Sequence, residues 1–182
     1  MMRLPDFITM SRIVSAVALL PLRAFSTTFF AVYTYCGISD VLDGAVARAT
    51  HSENESGARL DSIADIIFYS VTAIKILPAL CDELTPMIWG IIAAAALLRI
   101  ISYAAAAIKY RRFASLHTYM NKLTGFFVFT VPYIIFMPFA KTAFVIISVT
   151  AVISAAEELL IHMTGREYNA DRKTLLVYKN TY

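Results

Sequence analysis

Four aspartates within two apolar stretches are the residues of this sequence best suited to chemistry. Asp40 and Asp43 are three positions apart, Asp61 and Asp65 are four positions apart, and a short polar segment separates the two pairs. On helices, these spacings place each pair on one face. Because a short turn brings two helices side by side, the four carboxylates are predicted to converge. Each charge at a bilayer centre costs roughly 2.5 to 3.5 kcal/mol, so such a cluster needs a functional explanation.

A divalent cation is the simplest explanation, because four uncompensated carboxylates would repel one another strongly in a medium of low dielectric constant. Oxygen ligands without His or Cys favour Mg²⁺ or Mn²⁺ over zinc, and Mg²⁺ commonly binds substrate phosphates as well. Gly44 and Gly57 would let a ligand approach closely, and Arg48 could bind a phosphate. The alternative is that the acids cap helices or pair with Arg48 and Arg59, although a cap needs one acid rather than two on a face.

The elements that position these acids are predicted to be membrane-spanning helices. Hydrophobic residues make up 59% of the 182 residues and charged residues 16%, and apolar runs recur with short polar breaks, as in polytopic membrane proteins. Lipid offers backbone polar groups no partners, so the spans must be helical. We predict an all-α fold with six transmembrane helices, at about residues 8–25, 28–49, 57–80, 86–109, 118–139 and 141–162.

The basic residues indicate which ends of these helices face the cytoplasm. If both termini lie on one side, that side receives twelve of the 16 Lys and Arg residues, and the other side receives Arg23 and Lys141. The positive-inside rule then places both termini and the aspartates at the cytoplasmic side. We predict a transmembrane domain over residues 1–163, a polar cytoplasmic tail over residues 164–182, and localisation in the cytoplasmic membrane.

Eight residues around the aspartates also fit one longer pattern, D-x2-D-G-x2-A-R-x8-G-x3-D-x3-D. They are Asp40, Asp43, Gly44, Ala47, Arg48, Gly57, Asp61 and Asp65. This pattern resembles the signature of the CDP-alcohol phosphotransferase family. At background frequencies near 6% per residue type, a chance match is on the order of 10⁻¹⁰ per starting position. The resemblance also covers the six-span layout, with the motif on the second and third spans.

The resemblance implies a Mg²⁺- or Mn²⁺-dependent enzyme that transfers a substituted phosphate group from a CDP-linked donor to an alcohol, with release of CMP. By this resemblance the four aspartates hold two metal ions, and Asp65 also acts as the general base. The residues implied to line the CDP site are Asp43, Gly44, Ala47, Arg48, Gly57 and Asp61. The resemblance also implies a homodimer in the membrane, which we expect to form through the third and fourth spans.

The donor is expected to be CDP-diacylglycerol, because a catalytic centre that is open sideways to lipid suits a two-chain substrate. The N-terminal sequence resembles the start of phosphatidylglycerophosphate synthases. Thr9, Arg12 and Pro21 match that pattern, whereas Asp6 stands where Asn is usual. Glycerol-3-phosphate is therefore the expected acceptor, and serine, inositol phosphate or another alcohol are the alternatives.

A phosphorylated acceptor needs cations close to the metals. The candidates are Arg99, Lys109, Lys122 and Arg166, and Arg99 is the first of them because an arginine inside a span usually faces a partner or a cavity. Two other classes of protein stay open. A non-catalytic membrane scaffold would not need both aspartate pairs, and a transporter would place acids near the membrane midplane. No nucleic-acid partner is expected.

Overall fold

The computed structural model describes residues 4–50, 55–110, 118–164 and residue 174. These residues form six helices and no strand, which confirms the predicted all-α fold. The chain divides into two compact units, Met1–Asp82 and Glu83–Tyr182. The first unit contains the first three helices, and the second contains the other three. The helices are α1 (Leu4–Ala18), α2 (Thr27–Ala49), α3 (Glu55–Glu83), α4 (Pro86–Tyr110), α5 (Tyr119–Ile134) and α6 (Ala140–Thr164).

Three of the described helices are long and apolar enough to cross a membrane. The stretches are Arg59–Glu83 in α3, Pro86–Tyr110 in α4 and Ala140–Thr164 in α6. Each has 25 residues, which extend about 37 Å at 1.5 Å per residue, enough for a hydrocarbon core of about 30 Å. They correspond to the third, fourth and sixth predicted spans. The six-span topology and the orientation of the termini stay predictions.

The first helix is shorter than the predicted first span, because α1 ends at Ala18 instead of near residue 25. Pro21 has no amide hydrogen and disfavours helical geometry in the residue before it. A turn follows the helix, in which Leu20 N donates to Val17 O at 3.0 Å, and Phe25 has a positive φ of 61°. The residues of this turn are as apolar as those of the helix, so hydropathy gave no sign of where the helix ends.

The first unit is built on the packing of α1 against α2. Ser11 Oγ lies 2.7 Å from the Tyr35 hydroxyl, and Cys36 Sγ donates to the Arg12 carbonyl at 3.9 Å. These contacts fix the register of the two helices. They place the side chain of Arg12 beside Asp40, one turn along α2 from Cys36.

One contact with α2 and one with the turn after α1 connect α3 to the rest of the first unit. The rings of Tyr33 in α2 and Phe68 in α3 have centroids 5.2 Å apart. Lys75 Nζ of α3 donates to the carbonyl of Leu20, just beyond α1, at 3.0 Å. The ring contact lies one turn beyond Asp65, so α2 and α3 touch close to the acidic cluster.

The second unit is built around α6, against which α4 and α5 pack. Small side chains are fully buried on these helices, Ser102 on α4 and Ala155 on α6, and small residues permit close helix approach. Thr118 caps α5 by accepting a hydrogen bond from Asn121 N at 3.1 Å. The cap fixes Asn121 in the first turn of α5.

Candidate active site

The four aspartates lie where α2 and α3 bring their predicted faces together. Asp40 and Asp43 are in the second half of α2, and Asp61 and Asp65 are in the first half of α3. One carboxylate oxygen each from Asp40, Asp61 and Asp65 lies within 4.8 Å of the other two. Three acids from two helices therefore present oxygen atoms close enough to share a cation.

Arg12 of α1 lies in the middle of these acids. Its Nη1 donates to Asp40 and, at 3.3 Å, to Asp65. Its Nη2 donates to Asp61 and, at 3.0 Å, to Asp43. The Arg12 side chain is 1% exposed. One guanidinium thus contacts all four carboxylates and ties three helices together at the cluster.

Arg12 was not among the site residues predicted from the sequence. The signal that could have found it is an arginine within an apolar stretch, because such a charge needs a partner or a cavity. The sequence could not show which acids Arg12 contacts, because the register of α1 against α2 depends on contacts such as that of Ser11 with Tyr35.

Asp43 has a different environment from the other three acids. Its side chain is 6% exposed, whereas those of Asp40, Asp61 and Asp65 are 47%, 44% and 40% exposed. Asp43 Oδ2 accepts a hydrogen bond from Thr9 Oγ1 at 2.8 Å as well as the one from Arg12. Thr9 was also not predicted as a site residue. Asp43 is therefore held from α1, and the other three acids have surface available to a ligand.

The predicted CDP-binding residues lie on the same helices as the acids. Gly44 and Ala47 are half-buried on α2, four and seven positions after Asp40, so they share its side of the helix. Gly57 lies in the first turn of α3, four positions before Asp61. The side chain of Arg48 lies outside the described residues. The structure thus places three small residues next to the acids, and their role in CDP binding stays a prediction.

Arg99, the first candidate for acceptor binding, already has partners within the second unit. Its Nη1 pairs with Glu158 and donates to Asn121 Oδ1 at 2.9 Å, and its Nη2 donates to Ser154 Oγ at 3.2 Å. Asn121 Nδ2 also donates to Glu158 Oε2 at 2.9 Å. The Glu158 side chain is fully buried. This polar network joins α4, α5 and α6, and neither Glu158 nor Asn121 was predicted to be part of it.

The other acceptor candidates differ in their surroundings. Lys109 Nζ donates to the carbonyls of His162 at 2.6 Å and Met163 at 3.1 Å, so it binds the last carbonyls of α6, where a positive charge is favourable. Lys122 is exposed on α5. Arg166 lies outside the described residues. Lys109 and Lys122 are thus the exposed cations among the described candidates, and Lys109 is already bound to the end of α6.

Comparisons with known proteins identify the family to which this sequence is similar. The model of the CDP-alcohol phosphatidyltransferase family matches residues 2–156. A CDP-diacylglycerol–serine O-phosphatidyltransferase of Methanocaldococcus jannaschii is 36% identical over 66 residues, which are 36% of this chain and 30% of that protein. The matched part thus spans less than a third of the relative's length. No solved structure matches the chain.

Proposed function

We propose that this chain, which belongs to the CDP-alcohol phosphatidyltransferase family, transfers the phosphatidyl group of CDP-diacylglycerol to the hydroxyl of a small alcohol. The observation that carries the proposal is the convergence of Asp40, Asp61 and Asp65 within 4.8 Å, on two helices of the first unit. A pyrophosphate-linked donor needs its negative charge offset during transfer, and an all-carboxylate cluster is suited to hold the cations that do so.

The side chains present fit the divalent metal on which the family generally depends. Their donors are carboxylate oxygens with no nitrogen or sulfur among them, a set that favours Mg²⁺ or Mn²⁺. We propose that Asp40, Asp43, Asp61 and Asp65 hold two such ions. When bound, the ions would supply charge neutralisation for the attacking and leaving oxygens.

Asp65 is the proposed general base. Its side chain is 40% exposed, so an acceptor hydroxyl can approach it. Asp65 takes the proton of that hydroxyl, and the oxygen then attacks the phosphorus of the phosphatidyl group. A new phosphodiester bond forms, the bond to the bridging pyrophosphate oxygen breaks, and CMP leaves with the electron pair. Removal of a proton by a placed carboxylate typically accelerates a reaction by about 10²- to 10⁴-fold.

The cytidine diphosphate is proposed to bind along the small residues of α2 and α3. Gly44, Ala47 and Gly57 leave room for a ligand to approach the helix backbones, and Arg48 would pair with a phosphate oxygen. Asp43 and Asp61 complete this set from the metal site. The distribution of basic residues supports a cytoplasmic position for the site in the cell membrane, where a soluble acceptor is accessible.

Glycerol-3-phosphate is the first acceptor we propose, because Thr9, Arg12 and Pro21 fit the N-terminal pattern of the enzymes that use it. Serine is the second. The partly matching relative is named for serine, and the pairing of Arg99 with the buried Glu158 reduces the positive charge available for an acceptor phosphate. A zwitterionic acceptor needs less fixed positive charge than a phosphate dianion does.

The experiment is an assay of CMP release by purified protein with Mg²⁺ and CDP-diacylglycerol, in parallel reactions with glycerol-3-phosphate, serine or inositol phosphate. Acceptor-dependent CMP release is expected, and a scaffold or transporter would release none. Asp61→Asn is expected to abolish the release. The matched control is Asp82→Asn, which makes the same change near the other end of α3. Equal activity of the two variants would contradict the proposed site.

A further inference from the structure

We propose that Arg12 is an internal counter-ion of the aspartate cluster and that divalent cations compete with it for the same carboxylates. Arg12 would then be a positioning residue that holds the acids together and sets the metal affinity of the site. This inference rests on the proposed function, since it concerns the same four aspartates. It adds a residue from α1 to a site otherwise formed by α2 and α3.

The first step is the number of carboxylates that one side chain contacts. Arg12 donates to Asp40 and Asp65 through Nη1 and to Asp43 and Asp61 through Nη2. Charge-assisted hydrogen bonds of this kind are roughly twice as strong as neutral ones. The guanidinium therefore opposes the repulsion among the four acids and favours their convergence.

The second step is the burial of Arg12. Its side chain is 1% exposed, and its Nε has no hydrogen-bond partner among the parts of the chain that the structure describes. A buried charge is costly unless it is paired. Arg12 is thus committed to the carboxylates, and a structural role in packing α1 alone would not require a charged group at this position.

The third step is competition for shared ligands. Asp40, Asp61 and Asp65, whose oxygens could hold one cation, are three of the four acids that Arg12 contacts. A metal ion that coordinates these carboxylates takes up part of their negative charge and repels the adjacent guanidinium. Metal binding therefore weakens or displaces the contacts of Arg12. The protein is expected to bind the metal less tightly than the same four carboxylates would without Arg12.

The test is a titration with Mn²⁺ alone, followed by electron paramagnetic resonance, on purified protein without substrates. The variants are Arg12→Met, which removes the charge, and Arg12→Lys, which keeps a charge but has no planar fork. Arg12→Met is expected to bind Mn²⁺ at least about tenfold more tightly, because tenfold is the change expected for the loss of one competing charge-assisted hydrogen bond and this variant loses all those of Arg12. Arg12→Lys is expected to lie between wild type and Arg12→Met.

The control is Lys75→Met, which removes another positive charge from the first unit. Lys75 is ten positions beyond Asp65 on α3, about 15 Å along the helix, and it donates to the Leu20 carbonyl instead of a carboxylate. Its Mn²⁺ affinity is expected to equal that of wild type. A rise in affinity as large as that of Arg12→Met would mean that general electrostatics, and not exchange at the cluster, is responsible.

Thermal unfolding with and without Mn²⁺ separates the counter-ion role from a packing role. Without metal, Arg12→Met leaves the four acids without the cation that they share, so its Tm is expected to fall in EDTA and to rise more with Mn²⁺ than that of wild type. A packing role would lower both Tm values equally and leave Mn²⁺ affinity unchanged or weaker, which would overturn the inference. If Arg12→Met does not fold even with Mn²⁺, Arg12→Lys decides, and affinity no tighter than wild type would overturn it.

The outcome for wild type distinguishes this inference from the function on which it rests. If wild type binds no Mn²⁺ at millimolar concentration, the proposed metal site fails and the inference fails with it. If wild type binds Mn²⁺ and the Arg12 variants bind it no more tightly, the metal site stands and only the competition is refuted.

Discussion

Arg99→Met is expected to destabilise the protein, and this result would identify the contacts of Arg99 as structural. Its guanidinium pairs with Glu158, whose side chain is fully buried. Met retains much of the apolar stem of Arg but has no charge. The variant would therefore leave a carboxylate buried without its cation, which is more costly than the loss of the contact itself.

The structure sets the size of the effect. Breaking a buried ion pair by removing one partner costs about 3 to 5 kcal/mol. Asn121 Nδ2 would still donate to Glu158 at 2.9 Å and the Arg99 side chain is 23% exposed, so the lower end, about 3 kcal/mol, is expected. For a chain of this size about 1 kcal/mol shifts the Tm by roughly 2 to 4 °C, so the expected fall is about 6 to 12 °C.

The assay is thermal unfolding in detergent of Arg99→Met, Glu158→Met and the double variant. The double variant is expected to recover much of the loss, because no unpaired charge is left buried, and the double-mutant cycle gives the coupling between the two residues. Lys141→Met is the control, since Lys141 is exposed on α6 and surface changes usually stay within about 0.5 kcal/mol.

One result would refute this reasoning and restore Arg99 as an acceptor-binding residue. In that result, Arg99→Met has a Tm close to that of wild type. Its KM for glycerol-3-phosphate is raised about tenfold, and its KM for CDP-diacylglycerol is unchanged. That pattern is the kinetic sign of lost acceptor binding. It would mean that the guanidinium exchanges Glu158 for the acceptor phosphate during turnover.

The remaining predictions concern the base, the metal and the assembly. Asp65→Asn is expected to lower turnover, measured by CMP release, by about 10²- to 10⁴-fold. Its binding of CDP-diacylglycerol, measured at equilibrium, is expected to be largely preserved. Turnover equal to that of wild type would remove Asp65 from the mechanism. Chelation with EDTA is expected to abolish activity and Mg²⁺ or Mn²⁺ to restore it, and full activity after exhaustive chelation would contradict the metal site. Crosslinking in lipid is expected to give a dimer through α3 and α4, where small residues such as Ala94 permit close approach, and monomer alone would count against it.

Local patterns were sufficient to predict the helices and the arrangement of the acids. The spacings of three and four residues place acids on one face of a helix whatever packs around it, and the short segment between α2 and α3 keeps the acidic ends of the two helices near each other. The convergence of Asp40, Asp61 and Asp65 follows from these two facts, so it could be predicted from the sequence.

Helix ends were harder to predict, because apolar composition does not mark them. The predicted fifth span ran to residue 139, whereas α5 ends at Ile134. The residues beyond it form a turn in which Met137 N donates to Ile134 O at 2.9 Å. Pro138 follows directly and cannot donate to a continuing helix. The turn residues before Pro138 are apolar, so a prediction based on hydropathy extended the span through them.

Arg12 and Arg99 look alike in the sequence, since each is an arginine within an apolar stretch, but their surroundings in the structure differ. The difference lies in how many carboxylates each guanidinium contacts. Arg99 contacts one carboxylate, that of Glu158, so the pair is neutral and complete within its unit. Arg12 contacts four carboxylates, and its single charge cannot neutralise them. A neutral buried pair needs nothing further, whereas a cluster with excess negative charge in a low dielectric favours added cations. Comparing the charge of each arginine with that of its partners therefore distinguishes a ligand site from a structural contact, a distinction that depends on helix packing.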